Sequence, residues 1–429
     1  MLIPSIDIQG GRAVQLRQGR DLILDGGDPM TLLERFGRLG EVAVVDLDAA
    51  FGEGDNTELI ERMVRRARCR VGGGIRDVAT ARRWLDAGAE SIVIGTAAEP
   101  ALLSALPRER VMVALDAWDD EVVVDGWRTR SGETVEARLE RLRPLVGGFL
   151  ATFVCREGTG TGLDLDRARK LREAVGRSRL VEAGGTATPS EVARLDDIGV
   201  DVQVGRALYD GTFDETDVLS ATLRSDRRDG LWPTVVCDES GTALGLAWSS
   251  ERSLRRAIET GRGFYESRRR GLWEKGATSG AGQELLGIAV DCDRDALRFT
   301  VRQSDPGFCH EERRACWEGG DDRVSPWSLE RRIREAIESD DPGSYTRRLV
   351  EEPGLLAAKL VEEADELAAP DADTVHEAAD LLYFLMVVLA DRGVAVDDVF
   401  AELRRRDRRV TRRGGDRKPA IADRIGGAR

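Results

Sequence analysis

Three residues near the start of the chain return about 110 positions later: Asp7, Gly74 and Gly95 reappear as Asp116, Gly185 and Gly205. Their neighbours follow. Gly-Gly-Ile-Arg at 73–76 is answered by Gly-Gly-Thr-Ala at 184–187, and Ile-Gly-Thr-Ala at 94–97 by Val-Gly-Arg-Ala at 204–207. A period of this length, filled by short β-like runs alternating with helical patterns, leaves few folds open. The runs are Leu2–Ile6, Val42–Val45, Cys69–Val71, Ser91–Ile94, Val111–Leu115, Phe149–Val154, Leu180–Glu182 and Asp201–Val204. Eight βα units in about 220 residues predict a (β/α)8 barrel of two homologous halves.

The repeat also says something about a ligand. Glycine-rich turns after strands 3, 4, 7 and 8 let backbone N–H groups approach an anion. Gly73, Gly74, Gly95 and Thr96 in one half and Gly184, Gly185, Gly205 and Arg206 in the other offer two related phosphate sites. A lone glycine there would only serve a tight turn; the pairing suits a substrate with a phosphate at each end. Asp7 and Asp116 close strands 1 and 5, where barrel catalytic residues sit, and can act as general base and general acid.

Past the Asp/Arg-rich junction at 224–230 the pattern turns to short strands, with a helix at Ser253–Thr260. It then reaches a stretch holding three of the six cysteines and one of the two histidines. Asp291, Asp293 and Asp295 alternate, so on a strand they would share one face and offer Mg2+ hard oxygen ligands. Cys292, Cys309 and Cys316 suit Zn2+, and three ligands leave a fourth position for water, whose pKa the ion brings to about 7.

A Gly-Gly-Asp-Asp linker at 319–322 precedes a helical region. There Glu362 and Glu363 each lie a turn from Glu366, as Glu377 does from Asp380 on the next helix. Antiparallel pairing around Pro370 would converge them on Mg2+ and a pyrophosphate. Thr374-x-x-Glu377 also fits a capping box. Arg347, Arg348 and Lys359 are candidates for the phosphate chain.

Several stretches resemble known families. Pro4-Ser5-Ile6-Asp7-Ile8, Val45-Asp46-Leu47-Asp48-Ala49, Val71-Gly72-Gly73-Gly74-Ile75-Arg76 and Ile94-Gly95-Thr96-Ala97 resemble the ProFAR isomerases of histidine biosynthesis. The resemblance implies a cofactor-free Amadori rearrangement of a bis-phosphorylated substrate, with Asp7 as base. Where the family reads Thr-Asp-Ile-x-Arg-Asp-Gly-Thr, this chain has Thr152-Phe153-Val154-Cys155-Arg156-Glu157-Gly158-Thr159. Phe153 removes one carboxylate, and Glu157 replaces the aspartate proposed as acid in parts of the family, so Asp116 or Glu157 is the acid.

Ser267-Arg268, Trp273-Glu274-Lys275-Gly276-Ala277-Thr278-Ser279-Gly280 and the 291–316 stretch resemble phosphoribosyl-AMP cyclohydrolase. This implies zinc on Cys292, Cys309 and Cys316, magnesium on the three aspartates, and a dimer, since zinc ligands in that family come from two subunits. Many members carry a histidine where this chain has Ala281, so the base would be the metal-activated water or His310. Ser344-Tyr345-Thr346-Arg347-Arg348-Leu349 and the acidic helices resemble phosphoribosyl-ATP pyrophosphohydrolase.

The expected organisation is a barrel at 1–222, a small β-rich α+β domain at 226–318, an all-α domain at 327–410 and a flexible basic tail at 411–429. The expected function is three consecutive histidine-pathway steps on phosphorylated ribonucleotides. The alternative is a bifunctional hydrolase whose barrel only binds or assembles. A net charge of −14 and the lack of a basic patch with interleaved aromatics argue against nucleic acid. The N-terminus lacks signal-peptide character and no apolar run spans a bilayer, so no membrane is expected. A reducing cytoplasm suits thiolate ligands, and a homodimer through the middle and helical domains is expected.

Overall fold

The computed structural model describes residues 1–17, 21–156, 162–267, 269–317 and 324–411. Eight parallel strands close the N-terminal barrel: β1 (Leu2–Gln9), β2 (Val42–Asp46), β3 (Cys69–Gly72), β4 (Ser91–Ile94), β5 (Val111–Trp118), β6 (Gly148–Phe153), β7 (Arg179–Ala183) and β8 (Asp201–Val204). Closure comes from β8 pairing in parallel with β1, Leu2 opposite Val202 and Pro4 opposite Val204. Both faces of each strand are covered, which explains why β6 reads as an unbroken buried run. The halves repeat one more feature. An antiparallel pair leaves β1 as Arg12–Arg17 with Asp21–Gly27, and another leaves β5 as Glu121–Val124 with Thr129–Thr134.

The barrel axis is not wholly apolar. Ile3, Ala43, Met112, Leu150, Val181 and Ala183 fill it, but Arg70 from β3 crosses it fully buried. Its guanidinium donates to Gln203 Oε1 at 2.6 Å and lies 3.3 Å from Glu41. Burial lowers its pKa to about 10 while Glu41 works the other way, so it stays charged at neutral pH. Gln203 donates onward to the Ser5 hydroxyl at 3.3 Å, and Ser5 to Asp7 at 2.8 Å.

The middle domain is a four-stranded sheet of β9 (Trp232–Cys237), β10 (Ala243–Ser249), β11 (Gln283–Val290) and β12 (Leu297–Gln303), in the order β10-β9-β12-β11. Its helix runs Glu251–Thr260, two residues earlier than the sequence suggests, because Ser250 caps it through Ser253 N–H at 3.2 Å. The domain packs on the barrel flank. Arg255 pairs with Asp214 and with Asp217 (2.7 Å), Arg38 donates to the Ile258 carbonyl at 3.2 Å, and Leu39, Leu219 and Leu223 join its core.

Among the described residues five helices make the last domain, Pro326–Glu338, Tyr345–Glu351, Leu355–Leu367, Thr374–Asp391 and Val396–Asp407, around Ile333, Leu349, Phe384, Met386, Val387 and Val396. The fourth is capped by Asp373, which accepts from His376 N–H at 3.3 Å, so Thr374 is already inside the helix and no Thr374–Glu377 box forms. The Val410 and Thr411 N–H groups both donate to Asp86 of the barrel, at 2.8 and 3.0 Å. The expected linker at 319–322, and all of the expected tail beyond Thr411, lie outside the described residues.

Candidate functional site

The C-terminal mouth of the barrel holds two cavities that meet at Asp7. One, of about 280 Å3, is lined by Asp7, Gly73, Gly74, Gly95, Thr96 and Asp116 among others. The other, of about 260 Å3, is lined by Asp7, Gly184, Gly185, Gly205 and Arg206. The two glycine sets therefore form one lobe each, and Asp7 belongs to both. Gly73 shows why glycine is needed: its φ is +94°, and a Cβ there would sit 2.1 Å from the Asp46 carbonyl oxygen. Arg206 reaches Asp210 at 3.0 Å.

Burial pushes the Asp7 carboxyl up to about 6, the Ser5 hydroxyl bond opposing it. Burial also raises Asp116, against hydrogen bonds from Trp127 and Thr152 and the charge of Arg138. Trp127 and Arg138 line the same lobe and were not singled out from sequence. Arg138 had a signal. It lies among Val135, Leu139 and Leu142 on the buried stripe of its helix, an arginine where periodicity demands an apolar residue. It is buried, 3.6 Å from Glu133, and donates to the Gly95 carbonyl at 3.3 Å.

Phe153 does not stand in the mouth. Thr152 faces the lobe beside Asp116, and Phe153, one residue on, points to the outer core between strands and helices. Glu157 lies outside the described residues.

In the middle domain Asp291, Asp293 and Asp295 do bring ligand oxygens within 4.8 Å of one another. They do so on the turn between β11 and β12, not by alternation on a strand. The Asp291 carboxylate accepts from the N–H groups of Asp295 and Ala296 at 3.0 and 3.1 Å, which folds the loop over itself. Repulsion from Asp293 raises Asp295, the behaviour of oxygens gathered for a cation.

Cys309 and Cys316 lie close enough to shift each other's ionisation. The Glu311 N–H, with Cys316, holds the Cys309 thiol low, while burial and Cys309 raise Cys316. Two neighbouring thiols, one of them held low, are a fit donor pair for Zn2+. Cys292 is exposed on the aspartate loop, and among the described residues the three sulfurs do not converge within one chain. His310 Nδ1 lies 4.0 Å from Cys309 Sγ. Lys275, part of the quoted motif but given no role from sequence, is buried beside both thiols and donates to the Gly307 carbonyl at 3.2 Å.

In the helical domain two carboxylate groups share Glu363: Glu362, Glu363 and Glu366 on one helix, and Glu363, Glu377 and Asp380 across two, each set within 4.8 Å. Glu363 is buried, and Lys359 lies 2.9 Å from both Glu362 and Glu363. Burial and the charges of Glu363 and Glu377 raise Glu366. Arg347 and Arg348 are tied to Glu351 and Glu352 at 2.6 and 2.9 Å.

A barrel with two acids in a two-lobed mouth, joined to two domains that gather carboxylates, defines a multidomain enzyme. Family models match in succession: histidine biosynthesis protein at 1–214, phosphoribosyl-AMP cyclohydrolase at 245–318 and phosphoribosyl-ATP pyrophosphohydrolase at 327–407. A histidine biosynthesis trifunctional protein from Komagataella pastoris is 47% identical over 210 residues, 48% of this chain and 24% of that protein. The bifunctional protein his7 of Schizosaccharomyces pombe is 42% identical over 213 residues, 49% of this chain and 50% of that one. An imidazole-4-carboxamide isomerase from Pyrococcus furiosus is 33% identical over 229 residues, 51% of this chain and 92% of that protein. The chain thus spans between a quarter and a half of the first two relatives. It belongs to the histidine biosynthesis protein family, its barrel fused to a cyclohydrolase domain and a pyrophosphohydrolase domain.

Proposed function

We propose that the chain carries out three consecutive steps: release of pyrophosphate from phosphoribosyl-ATP, hydrolytic opening of the adenine ring of phosphoribosyl-AMP, and isomerisation of the resulting ProFAR to PRFAR. The observation that carries the last step is the sharing of Asp7 between two lobes, each carrying the glycine set of one half of the barrel. Backbone N–H groups at Gly73, Gly74 and Gly95 and at Gly184, Gly185 and Gly205, with Thr96 and Arg206, would hold the terminal phosphates. That leaves the sugar over Asp7 and Asp116. Asp7, at about 6, is ionised at neutral pH and takes the proton from the carbon next to the aldose centre. Asp116, raised by burial, protonates the ring oxygen as the ribose opens.

For the hydrolytic steps, Glu362, Glu363, Glu366, Glu377 and Asp380 would hold Mg2+ in the helical domain, and Asp291, Asp293 and Asp295 in the middle one. Cys309 and Cys316 would hold Zn2+ with Cys292 from a second copy. The metals supply charge neutralisation at the leaving pyrophosphate and a polarised water at the adenine ring. Lys359 would neutralise Glu362 and Glu363 until a cation and a phosphate chain share them, and His310 would accept a proton beside the thiols. This makes the working form a homodimer through the middle and helical domains, in a reducing cytoplasm. The test is to supply phosphoribosyl-ATP with Mg2+ and Zn2+ and identify the products: PRFAR supports all three steps, and accumulation of ProFAR would leave the barrel a binding module on a bifunctional hydrolase.

A further inference from the structure

The aspartate loop of the middle domain is held by the barrel. Of the five residues Asp291–Asp295, Arg294 alone is not exposed, and its guanidinium pairs with Asp196, a buried carboxylate of the barrel that also takes the Met1 ammonium at 2.5 Å. A backbone bond adds to this, from Arg224 N–H to the Arg294 carbonyl at 2.7 Å. Arg224 itself pairs with Asp197 at 2.7 Å. Two successive acids of the barrel thus engage the loop and the junction that leads to it.

Neither end of the contact follows from local preference. Asp196 is the last residue of the helix Pro189–Asp196, where the helix dipole disfavours an anion by about 0.3–1 kcal/mol. Arg294 has a φ of +67°, a left-handed conformation that costs a residue with a Cβ about 1–2 kcal/mol. Sites that break local rules at both partners usually serve something beyond the local fold. Here the left-handed residue falls between Asp293 and Asp295 and turns both toward Asp291. Three carboxylates within 4.8 Å repel one another; the two N–H bonds to Asp291 oppose this from inside the loop, and Arg294 opposes it from the barrel side.

We infer that the barrel residue Asp196, acting through Arg294, positions the magnesium ligands of the cyclohydrolase domain, so that the fused barrel completes a metal site it does not contain. Asp196 and Arg294 are positioning residues. The inference rests on the reading that Asp291, Asp293 and Asp295 hold Mg2+.

The experiment uses the full-length, zinc-loaded chain with Glu363→Gln and Asp380→Asn added to remove the helical-domain site. Mn2+ binding is read by electron paramagnetic resonance, and zinc by metal analysis. Asp196→Asn and Arg294→Ala should each weaken Mn2+ binding about tenfold or more with zinc content unchanged, and Arg294→Lys should recover part of it. The double variant should bind Mn2+ no more weakly than the worse single one, since of the two partners of Asp196, Met1 and Arg294, only Arg294 lies on the loop. Wild-type affinity in both single variants, or fully additive losses, overturns the inference while the aspartate site stands. Unchanged Mn2+ binding in Asp291→Asn would overturn the magnesium reading and this inference with it. Arg294→Ala changes a loop residue, so it keeps the test open if Asp196→Asn fails to fold.

Discussion

The Arg167 guanidinium lies 3.6 Å from the centre of the Phe153 ring, on the outer side of β6. Arg167 also pairs with Asp120 at 3.6 Å, so the stack ties the helix after β6 to the end of β5. The family carboxylate lost at Phe153 is therefore replaced by a packing contact behind the active face. Phe153→Leu should leave isomerisation intact. Phe153→Asp, which buries a charge and opens a cavity, should cost about 3 kcal/mol or more in urea unfolding without raising turnover. Higher turnover in that variant would mean that position 153 reaches the substrate.

Asp7 sets a pH limb. With its carboxyl at about 6, isomerisation should fall as pH drops through that value, because the base becomes protonated. The Ser5 hydroxyl holds this pKa down, so Ser5→Ala should move the limb upward. Stability runs the other way: a raised carboxyl favours the fold below its unfolded value near 4, and that contribution is lost as pH rises through about 6. Asp7→Asn should consequently raise Tm at pH 7 and leave it nearly unchanged at pH 4. Equal shifts at both pH values would contradict the assignment.

Glu363 belongs to both carboxylate groups of the helical domain, and Asp380 to one. Glu363→Gln should lower pyrophosphate release from phosphoribosyl-ATP by about 100-fold or more, and Asp380→Asn by less. Phosphoribosyl-AMP supplied directly should still be opened by both variants. Normal pyrophosphate release would remove this domain from the first step.

Cys309→Ser should lose zinc and ring opening together, since a serine hydroxyl does not ionise at neutral pH as a thiol does. The distance of Cys292 from the other two sulfurs adds a sharper expectation. Chains with Cys292→Ser and chains with Cys309→Ser, each inactive, should regain roughly a quarter of the zinc sites when unfolded together and refolded as mixed dimers. No recovery would place all three ligands in one chain.

The barrel could be read from the chain because its strands are covered on both faces and stand out as short, mostly apolar runs between helical patterns. The site glycines were legible through the repeat, and Glu363 and Asp380 through their spacing. The aspartates of 291–295 were found for an incomplete reason, since a turn closed by Asp291, not a strand, gathers them. Which way Phe153 faces was not legible, because a break in a motif does not tell which face of a strand a residue takes. Arg294 and Asp196 could not be paired at all: their contact crosses a domain boundary, and neither stands in a periodic pattern that names its partner.

The near-twofold barrel creates a problem of direction. If the two lobes were equivalent, a molecule with a phosphate at each end could enter either way round, and only one orientation would bring the reacting sugar to the base. The tie is broken at the two acids. Asp7 takes a single hydroxyl, from Ser5, and belongs to both lobes, whereas Asp116 is confined to the larger one, with Trp127, Thr152 and Arg138 around it. Duplication supplied two matching grips, and the divergence of these neighbours gives the mouth its polarity.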